Sequence, residues 1–466
     1  MYMPGPITKV FLIGFVSTLL IPFSVGAQES LTISRLPATL NVAGATYTIT
    51  RNLSSERYGL YVKAANVTIE GNGHTITINQ TSPTGVSPAQ GTSRALYLRR
   101  GANGAIVRNL KLRSADRKLG RARVLASSVQ DLTLTNVEAD DLTISRGASH
   151  TVQESDFENV RVSYADGSSL SNNEINYLRM SKGENHTVAG NSGGRIYWLG
   201  INHSTISNSS AAPFTLNTGQ FNVFTNNSFT SASLSASRGA TLQGNSCGRI
   251  YLRRSTDNLL ESNTVSGNFG TMVLTNSSGN TVRDNRITAT ASARTPLLLQ
   301  RSSNNILDRN IVWQSVRKAA SVTGESLGNS FTNNTFFGGT IAFSYAATRA
   351  NAQLYLRNNI FLGGSATKSR LFLRISPTSG VDSDYNSLYV LPRPGTAPRS
   401  YACSALDSLR NSHSGDANSI CVDPMLSNPI TGDFSLEAGS PAIDAGDPAF
   451  GTDFPGGRID IGADEY

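Results

Sequence analysis

Past residue 27 the chain has no apolar run approaching the ~20 residues that span a bilayer, so the body of the protein holds no candidate transmembrane helix. Charge is scarce: Asp, Glu, Lys and Arg make up 15% of residues. Asn, Ser, Thr and Gly fill their place, a turn-rich composition suited to many short strands. Cysteine is scarcer still, and three thiols cannot all pair. Cys403 and Cys421 lie in one loop-rich stretch and are expected to form a disulfide in an oxidising compartment, whereas Cys247 falls at an inward-facing place and reads as a small buried apolar residue.

What is present begins with a leader. Lys9 precedes an apolar run from Val10 to Phe23, and Val25, Gly26 and Ala27 offer a cleavage site before Gln28, so residues 1–27 are expected to be an export signal. The run is too short for a membrane span, and no lipobox cysteine follows it. The mature chain is therefore expected outside the cytoplasm, extracellular or periplasmic. Lys and Arg number 40 against 32 Asp and Glu. In an exported protein that balance points to a polyanion, an acidic polysaccharide or an envelope surface, rather than to nucleic acid.

The strongest pattern is a repeat. From Ser128 the chain divides into seven units of 18 residues, the later ones beginning at Arg146, Tyr164, Lys182, Gly200, Thr218 and Ala236. The seventh place reads Leu134, Val152, Leu170, Val188, Ile206, Phe224, Leu242, and the fifteenth reads Leu142, Val160, Leu178, Ile196, Phe214, Ala232, Ile250. The seventeenth reads Ile144, Val162, Met180, Trp198, Leu216, Leu234, Leu252. All three columns are apolar, and the spacing of two between the last pair is the strand period. Eighteen residues are too few for a helix-bearing repeat. Each unit should then be one coil of short strands, paired in parallel with the next at about 4.8 Å. The expected fold is an all-β solenoid, a single-stranded right-handed parallel β-helix over residues 28–390, with a loop-rich capping segment over 391–466 and a monomeric chain. About 440 mature residues would otherwise suggest two or three domains, but a repeat array grows its core along one axis.

The tenth place carries Asn173, Asn191, Asn227, Asn245 and Asn263, with Asn172, Asn208 and Asn226 beside it. Asparagine accepts the left-handed conformation of a tight corner, and stacked amides can bond along a ladder. The ladder continues at wider spacing through Asn285, Asn310, Asn334 and Asn359, so the later coils carry insertions, as between Ser292 and Pro296. Such insertions would overhang the strand face as a rim.

Two segments carry a family resemblance. Tyr47 to Ile78, with its Gly71 to Gly73 turn after a buried strand, resembles the opening coils of pectin-lyase-like β-helix proteins. Gly439 to Pro448 followed by Arg458 to Tyr466 is similar to the terminal segment of secreted bacterial β-helix proteins, among them relatives of chondroitinase B and alginate lyases. The resemblance implies the fold and leaves the activity open, since this superfamily hosts lyases, hydrolases, epimerases and non-catalytic surface proteins.

On the outward side the fourteenth column is Asp141, Asn159, Tyr177, Arg195, Pro213, Ser231, Arg249, and the sixteenth is Thr143, Arg161, Arg179, Tyr197, Thr215, Ser233, Tyr251. Tyr177 should lie beneath Arg195, and Arg179 beneath Tyr197 and above Arg161, with Arg249 and Tyr251 forming a second patch. Guanidinium groups bind carboxylates bidentately, and tyrosine offers a sugar ring an apolar face. Eliminative cleavage of a uronic-acid polymer needs a carboxylate neutraliser, a base and an acid. Arg161 or Arg195 would neutralise, Arg179 or Tyr177 would take the ring proton, and Tyr197 would protonate the leaving oxygen. An arginine base is a heavy demand at a reference pKa above 12. The same residues would serve a uronate epimerase, or a non-catalytic glycan-binding or envelope protein, and a solvated face of stacked Arg and Tyr is the plainest alternative.

Hydrolysis would want two facing carboxylates. Asp140, Asp141 and Glu158 lie at the lower edge of the stripe, where adjacent arginines make ion pairs the expected role. The aspartate-rich signature of polygalacturonases and the tryptophan-aspartate-histidine pattern of pectate lyases are not apparent. His150 and His186, two coils apart at the fifth place, read as turn residues. No cofactor is expected. Calcium at Asp444, Asp447, Asp453, Asp460 and Asp464 is the open alternative to their satisfying turns in the cap.

Overall fold

A computed structural model describes residues 29–56, 58–79, 94–117, 120–268, 270–289, 295–314, 317–348, 353–364, 373–376, 380–392, 401–412, 415–450 and 457–464. The leader and the insertion at 290–294 lie outside these residues, as does Asp453. The chain winds as a right-handed parallel β-helix, in which each strand of the 18-residue region pairs in parallel with its counterpart one coil later: Leu142 faces Val160, Val160 faces Leu178, and Leu178 faces Ile196.

Three columns build the core. Every residue of the seventh, fifteenth and seventeenth places is buried, and the widest part of the interior is filled by Trp198, Phe214, Phe224 and Phe229, with Phe214 and Phe224 ring centroids 4.7 Å apart. Cys247 is buried among the same side chains, and burial pushes its thiol up to about 12. It is expected to resist alkylation in the folded protein, which intact-mass analysis after iodoacetamide would check.

The coil is less uniform than a set of short strands. A three-residue strand such as Ser169–Ser171 alternates with an eleven-residue strand such as Glu174–Glu184 that runs through a bend. The bend is visible in burial: at the thirteenth and fourteenth places two successive side chains turn away from the core, as Glu158 and Asn159 do, while the ladder continues on either side. The other corners are left-handed residues at the first, fourth and ninth places, among them Lys182, Asn185 and Asn172. Asn172, Asn208 and Asn226 take the strained corner at φ 53°, 49° and 54°. Their neighbours Asn173, Ser209 and Asn227 point inward and are buried. The two jobs assigned to asparagine are thus divided between adjacent places.

The fifth place builds a second internal polar ladder that the repeat columns did not reveal. It runs through His150, Ser168, His186, Ser204, Asn222, Asn258, Asn280, Asn305 and Asn329, all buried. A small second-place residue makes room for the large ones: a Cβ on Gly147 or Gly183 would lie 2.9 or 2.6 Å from the imidazole Nε2 of His150 or His186. The histidines are therefore interior groups, and their place at a corner does not expose them.

The C-terminal segment does two things. Helix Tyr401–Ser412 places Leu406 and Leu409 against the end of the main core, and Cys403 is bonded to Cys421. The following chain lies along the flank of the last coils, where Leu426, Phe434, Leu436, Ala442 and Ile461 pack on Phe337, Ile360, Leu362 and Tyr389. Among the described residues no group of carboxylates, histidines or cysteines is arranged to hold a metal. Asp447 accepts the Ala449 N–H and pairs with Arg357, Asp460 accepts the Asp444 N–H, and burial raises the Asp464 carboxyl.

Candidate functional site

The ladder fixes the stripe residue by residue. Arg161 faces Arg179, Arg179 faces Tyr197, and Tyr177 faces Arg195 across neighbouring coils. Arg161, Arg179 and Arg195 are exposed, and Tyr177 and Tyr197 are half-buried. The Arg179 guanidinium stacks over the Tyr197 ring at 5.6 Å, and Arg249 repeats the arrangement over Tyr251 at 5.0 Å. A guanidinium laid on a ring keeps its in-plane N–H donors directed at the surroundings. The five residues are brought together, and Arg249 with Tyr251 forms a separate patch, Tyr251 lying three coil steps beyond Tyr197 through Thr215 and Ser233.

The arginines just below the stripe behave differently. Arg117 pairs with Asp140 at 2.9 Å and Glu158 at 3.3 Å, Arg121 pairs with Asp141 at 3.2 Å, and Arg123 pairs with Asp141 at 3.3 Å. Asp140 also accepts the Ala122 N–H, so Asp140, Asp141 and Glu158 are committed to holding the loop over this corner. Arg161, Arg179 and Arg195, by contrast, have no ion pair or hydrogen bond among the described residues. Two guanidiniums one strand spacing apart repel by about 1 kcal/mol even in water. An anion laid along the column would relieve that repulsion.

Around the bend from the stripe is a cleft of about 620 Å³ that repeat counting had not singled out. Its floor carries a second in-register column, Glu138, Asp156 and Glu174, with Glu158 and Asp140 beside it and Arg113 and Arg117 at its edge. Burial, then the neighbouring Glu174 and Glu138 carboxylates, raise Asp156 above the usual carboxylate range, with Arg117 opposing. Glu138 is held by Arg113 at 2.7 Å, whereas Asp156 has no ion pair among the described residues. The eleventh place of successive units does show this acidic run. Without knowledge of the bend, nothing marked it as facing a cleft.

A third feature lies on the stripe's own face toward the N-terminus. Tyr61 and Tyr97 stack at 5.3 Å and 13°, with Arg94 over Tyr97 at 4.6 Å and Lys63 over Tyr61 at 4.9 Å. Irregular coil lengths before Ser128 hide these residues from an 18-residue reading. Leu60 to Val62 and Leu96 to Leu98 do share the apolar-Tyr-apolar form of Ile196 to Trp198, yet Leu354 to Leu356 has it too and pairs in a different ladder. The pattern alone therefore does not assign a face.

The fold so defined is a right-handed parallel β-helix. Residues 180–361 match the family model described as a right-handed β-helix region, and no curated protein matches the sequence. Among solved structures the chain is similar to the A-module of a mannuronan C-5 epimerase from Azotobacter vinelandii, at 12% identity over 57% of this chain and 84% of that one, TM-score 0.39. It is similar also to a complex of the alginate lyase AlyF-OU02, at 9% identity over 70% and 88%, TM-score 0.38. A mannuronic-acid-specific polysaccharide family 6 lyase from human gut microbiota matches at 12% identity over 83% and 95%, TM-score 0.31. These likenesses concern the winding of the chain and assign it neither an activity nor a substrate.

Proposed function

We propose that the protein is exported and holds an acidic, uronic-acid polysaccharide along the face made by Arg161, Tyr177, Arg179, Arg195 and Tyr197. The observation that carries this reading is the contrast in pairing: the arginines below are neutralised by Asp140, Asp141 and Glu158, and the three on the stripe have no counter-ion among the described residues. Polymer carboxylates supply that counter-ion, and the tyrosine rings supply contact for the sugar faces. β-Elimination is the reaction such a face would serve, with Tyr197 as acid and Arg161 or Arg195 opposite the carboxylate. The base is its weak point, because among the described residues Tyr177 is the only non-arginine candidate beside them. Binding is accordingly the part of the reading that the geometry supports best.

Replacing Arg179 or Arg195 by Ala should weaken binding to alginate or pectate tenfold or more, since a charge-assisted contact contributes about 1.5–3 kcal/mol. Stability should change by no more than about half a kcal/mol, and the loss of affinity should shrink at high salt. Titration calorimetry at two ionic strengths reads this; a double variant that binds at full strength would place the site elsewhere. Incubation with alginate, pectate, chondroitin and heparin, followed by ultraviolet absorbance of unsaturated uronates, separates a lyase from a binding protein. Export is checked by mass spectrometry, which should find a mature chain beginning at Gln28; an intact amino terminus on exported protein would remove that part.

A hydrolytic reading has one observation in its favour, the raised Asp156 carboxyl beside Glu174 in the acidic cleft. It predicts new reducing ends without ultraviolet absorbance, abolished by Asp156→Asn.

A further inference from the structure

The stacked tyrosines near the N-terminus belong to the same outward column as the stripe. Tyr61 faces Tyr97, Tyr97 faces Leu125, Leu125 faces Thr143, and Thr143 faces Arg161. In the flanking column Arg94 faces Arg123, which continues to Asp141, Asn159, Tyr177 and Arg195. Arg94 with Tyr97 thus occupies the same two columns as Arg195 with Tyr197 and Arg249 with Tyr251.

The N-terminal member differs in being concave. Tyr58, Tyr61, Arg94, Tyr97 and Arg99 line a pocket of about 510 Å³ together with Leu60, within the size range of small-ligand sites. No carboxylate is among its described lining residues. Arg99 donates to the Tyr61 hydroxyl at 2.8 Å, and the Arg94 Nε is buried without a hydrogen-bond partner among the described residues. An apolar ring platform ringed by cations and free of acids suits a sugar ring that carries a carboxylate.

We infer that this pocket is a distal subsite for the same acidic polysaccharide, so that one chain lies along the helix axis and is gripped at both the tyrosine pocket and the arginine stripe. This rests on the reading of the stripe as a glycan-binding face. From Tyr97 to Tyr197 the column passes through Leu125, Thr143, Arg161 and Arg179, five coil steps or about 24 Å. The coil spacing is close to the length of one pyranose, so about one sugar lies over each coil. Among the described residues of these two columns no unpaired acid lies on the way: Leu125 and Thr143 are uncharged, and Asp141 is buried and paired with Arg121 and Arg123. The second grip acts at the high effective concentration of an already bound chain. Affinity should therefore rise sharply once the oligomer is long enough to reach both.

The test is titration calorimetry of the full-length protein with oligomannuronates and oligogalacturonates of defined length, from trimers to dodecamers. Wild-type protein should bind the longest oligomers at least tenfold more tightly than tetramers, one chain per molecule. The Y61A/Y97A variant should lose that gain and keep its tetramer affinity, whereas R179A/R195A should weaken tetramers as well. Arg99→Ala combined with Lys63→Ala, both exposed, serves if the tyrosine variant does not fold, with the same expectation. Equal affinity for short and long oligomers in the wild type, or a full length-dependent gain in the pocket variants, would overturn the distal subsite while leaving the stripe in place. Absence of binding to any oligomer would overturn the stripe reading and the subsite with it.

Discussion

Lowering the pH from 7 to 4 is expected to cost the folded protein on the order of 5 kcal/mol through two side chains, His150 and His186. Both are buried, at 0% and 2% exposure. Burial holds each imidazole down to about 4, with Asp131 near His150 and Asp166 near His186 opposing and with His150 lowering His186 further. The hydrogen bonds agree with a neutral ring: Ser168 N–H donates to His186 Nδ1, which is therefore an acceptor, and both His150 nitrogens have no partner among the described residues. In the unfolded chain the same groups take up protons near 6.5. Their contribution is thus complete above that pH, falls as pH drops from about 6.5 to 4, and changes little further below. Each shift corresponds to about 3 kcal/mol, and a charge on His150 holds the second proton off His186 to lower pH.

Asparagine is the exchange that removes the effect with least disturbance. Gly219 stands to Asn222 as Gly147 stands to His150 and Gly183 to His186, a Cβ on Gly219 lying 2.9 Å from the Asn222 amide. Chemical unfolding of the wild type and of H150N/H186N should show similar stability at pH 7.5 and a difference of several kcal/mol at pH 4.5. Parallel pH profiles for the two proteins would show that the imidazoles are protonated in the fold and that the ladder tolerates their charge. If the protein is exported to an acidic surface, this sets the lower limit of its working range, whatever it binds there.

How much of this was legible in the sequence depends on whether a residue acts through a period or through a bend. Leu142, Trp198 and their columns are placed by side-chain alternation alone, and the register of Arg161, Arg179 and Tyr197 follows once 18 residues are known to make one coil. Glu138, Asp156 and Glu174 obey the same period, but their cleft exists because the chain bends at the thirteenth and fourteenth places, and neither place has a composition that marks it. Tyr61 and Tyr97 escape because their coils are longer than 18 residues, so no fixed spacing links them to Tyr197. The fifth-place ladder was hidden by its chemistry: His, Ser, Asn and Ala alternate there, and a column looks mixed until one sees that most members donate a backbone N–H to the polar side chain one coil later, as Ser168 does to His186, His186 to Ser204 and Ser204 to Asn222.

The tenth-place ladder should be the most sensitive part of the fold, and Asn245 is the residue on which to measure it. Its Oδ1 accepts the Asn227 backbone N–H at 3.0 Å and the Asn227 amide at 3.0 Å, while its own amide donates to the Phe224 carbonyl at 2.9 Å and to Asn263 Oδ1 at 3.0 Å. All of these atoms are in the interior, out of reach of water. Asn245→Ala would leave the Asn227 N–H unpaired in that interior, at about 1–3 kcal/mol, and would take one donor each from the Phe224 carbonyl and Asn263 Oδ1, for a total of about 3–5 kcal/mol with the vacated volume. Asn245→Ser should cost about 1–2 kcal/mol instead. The structure already contains that solution two coils away: at Ser209 a hydroxyl accepts the Asn191 N–H at 3.2 Å and donates to the Ser207 carbonyl, and the ladder passes through it unbroken to Asn227. Hydrogen exchange at the Asn227 amide reports the local effect, and urea unfolding reports the global one. Protection there should fall steeply in N245A and much less in N245S. Equal protection in both variants would mean that the parallel backbone pairing of coil on coil holds the helix without its asparagines, and the ladder would then be a consequence of the winding rather than one of its supports.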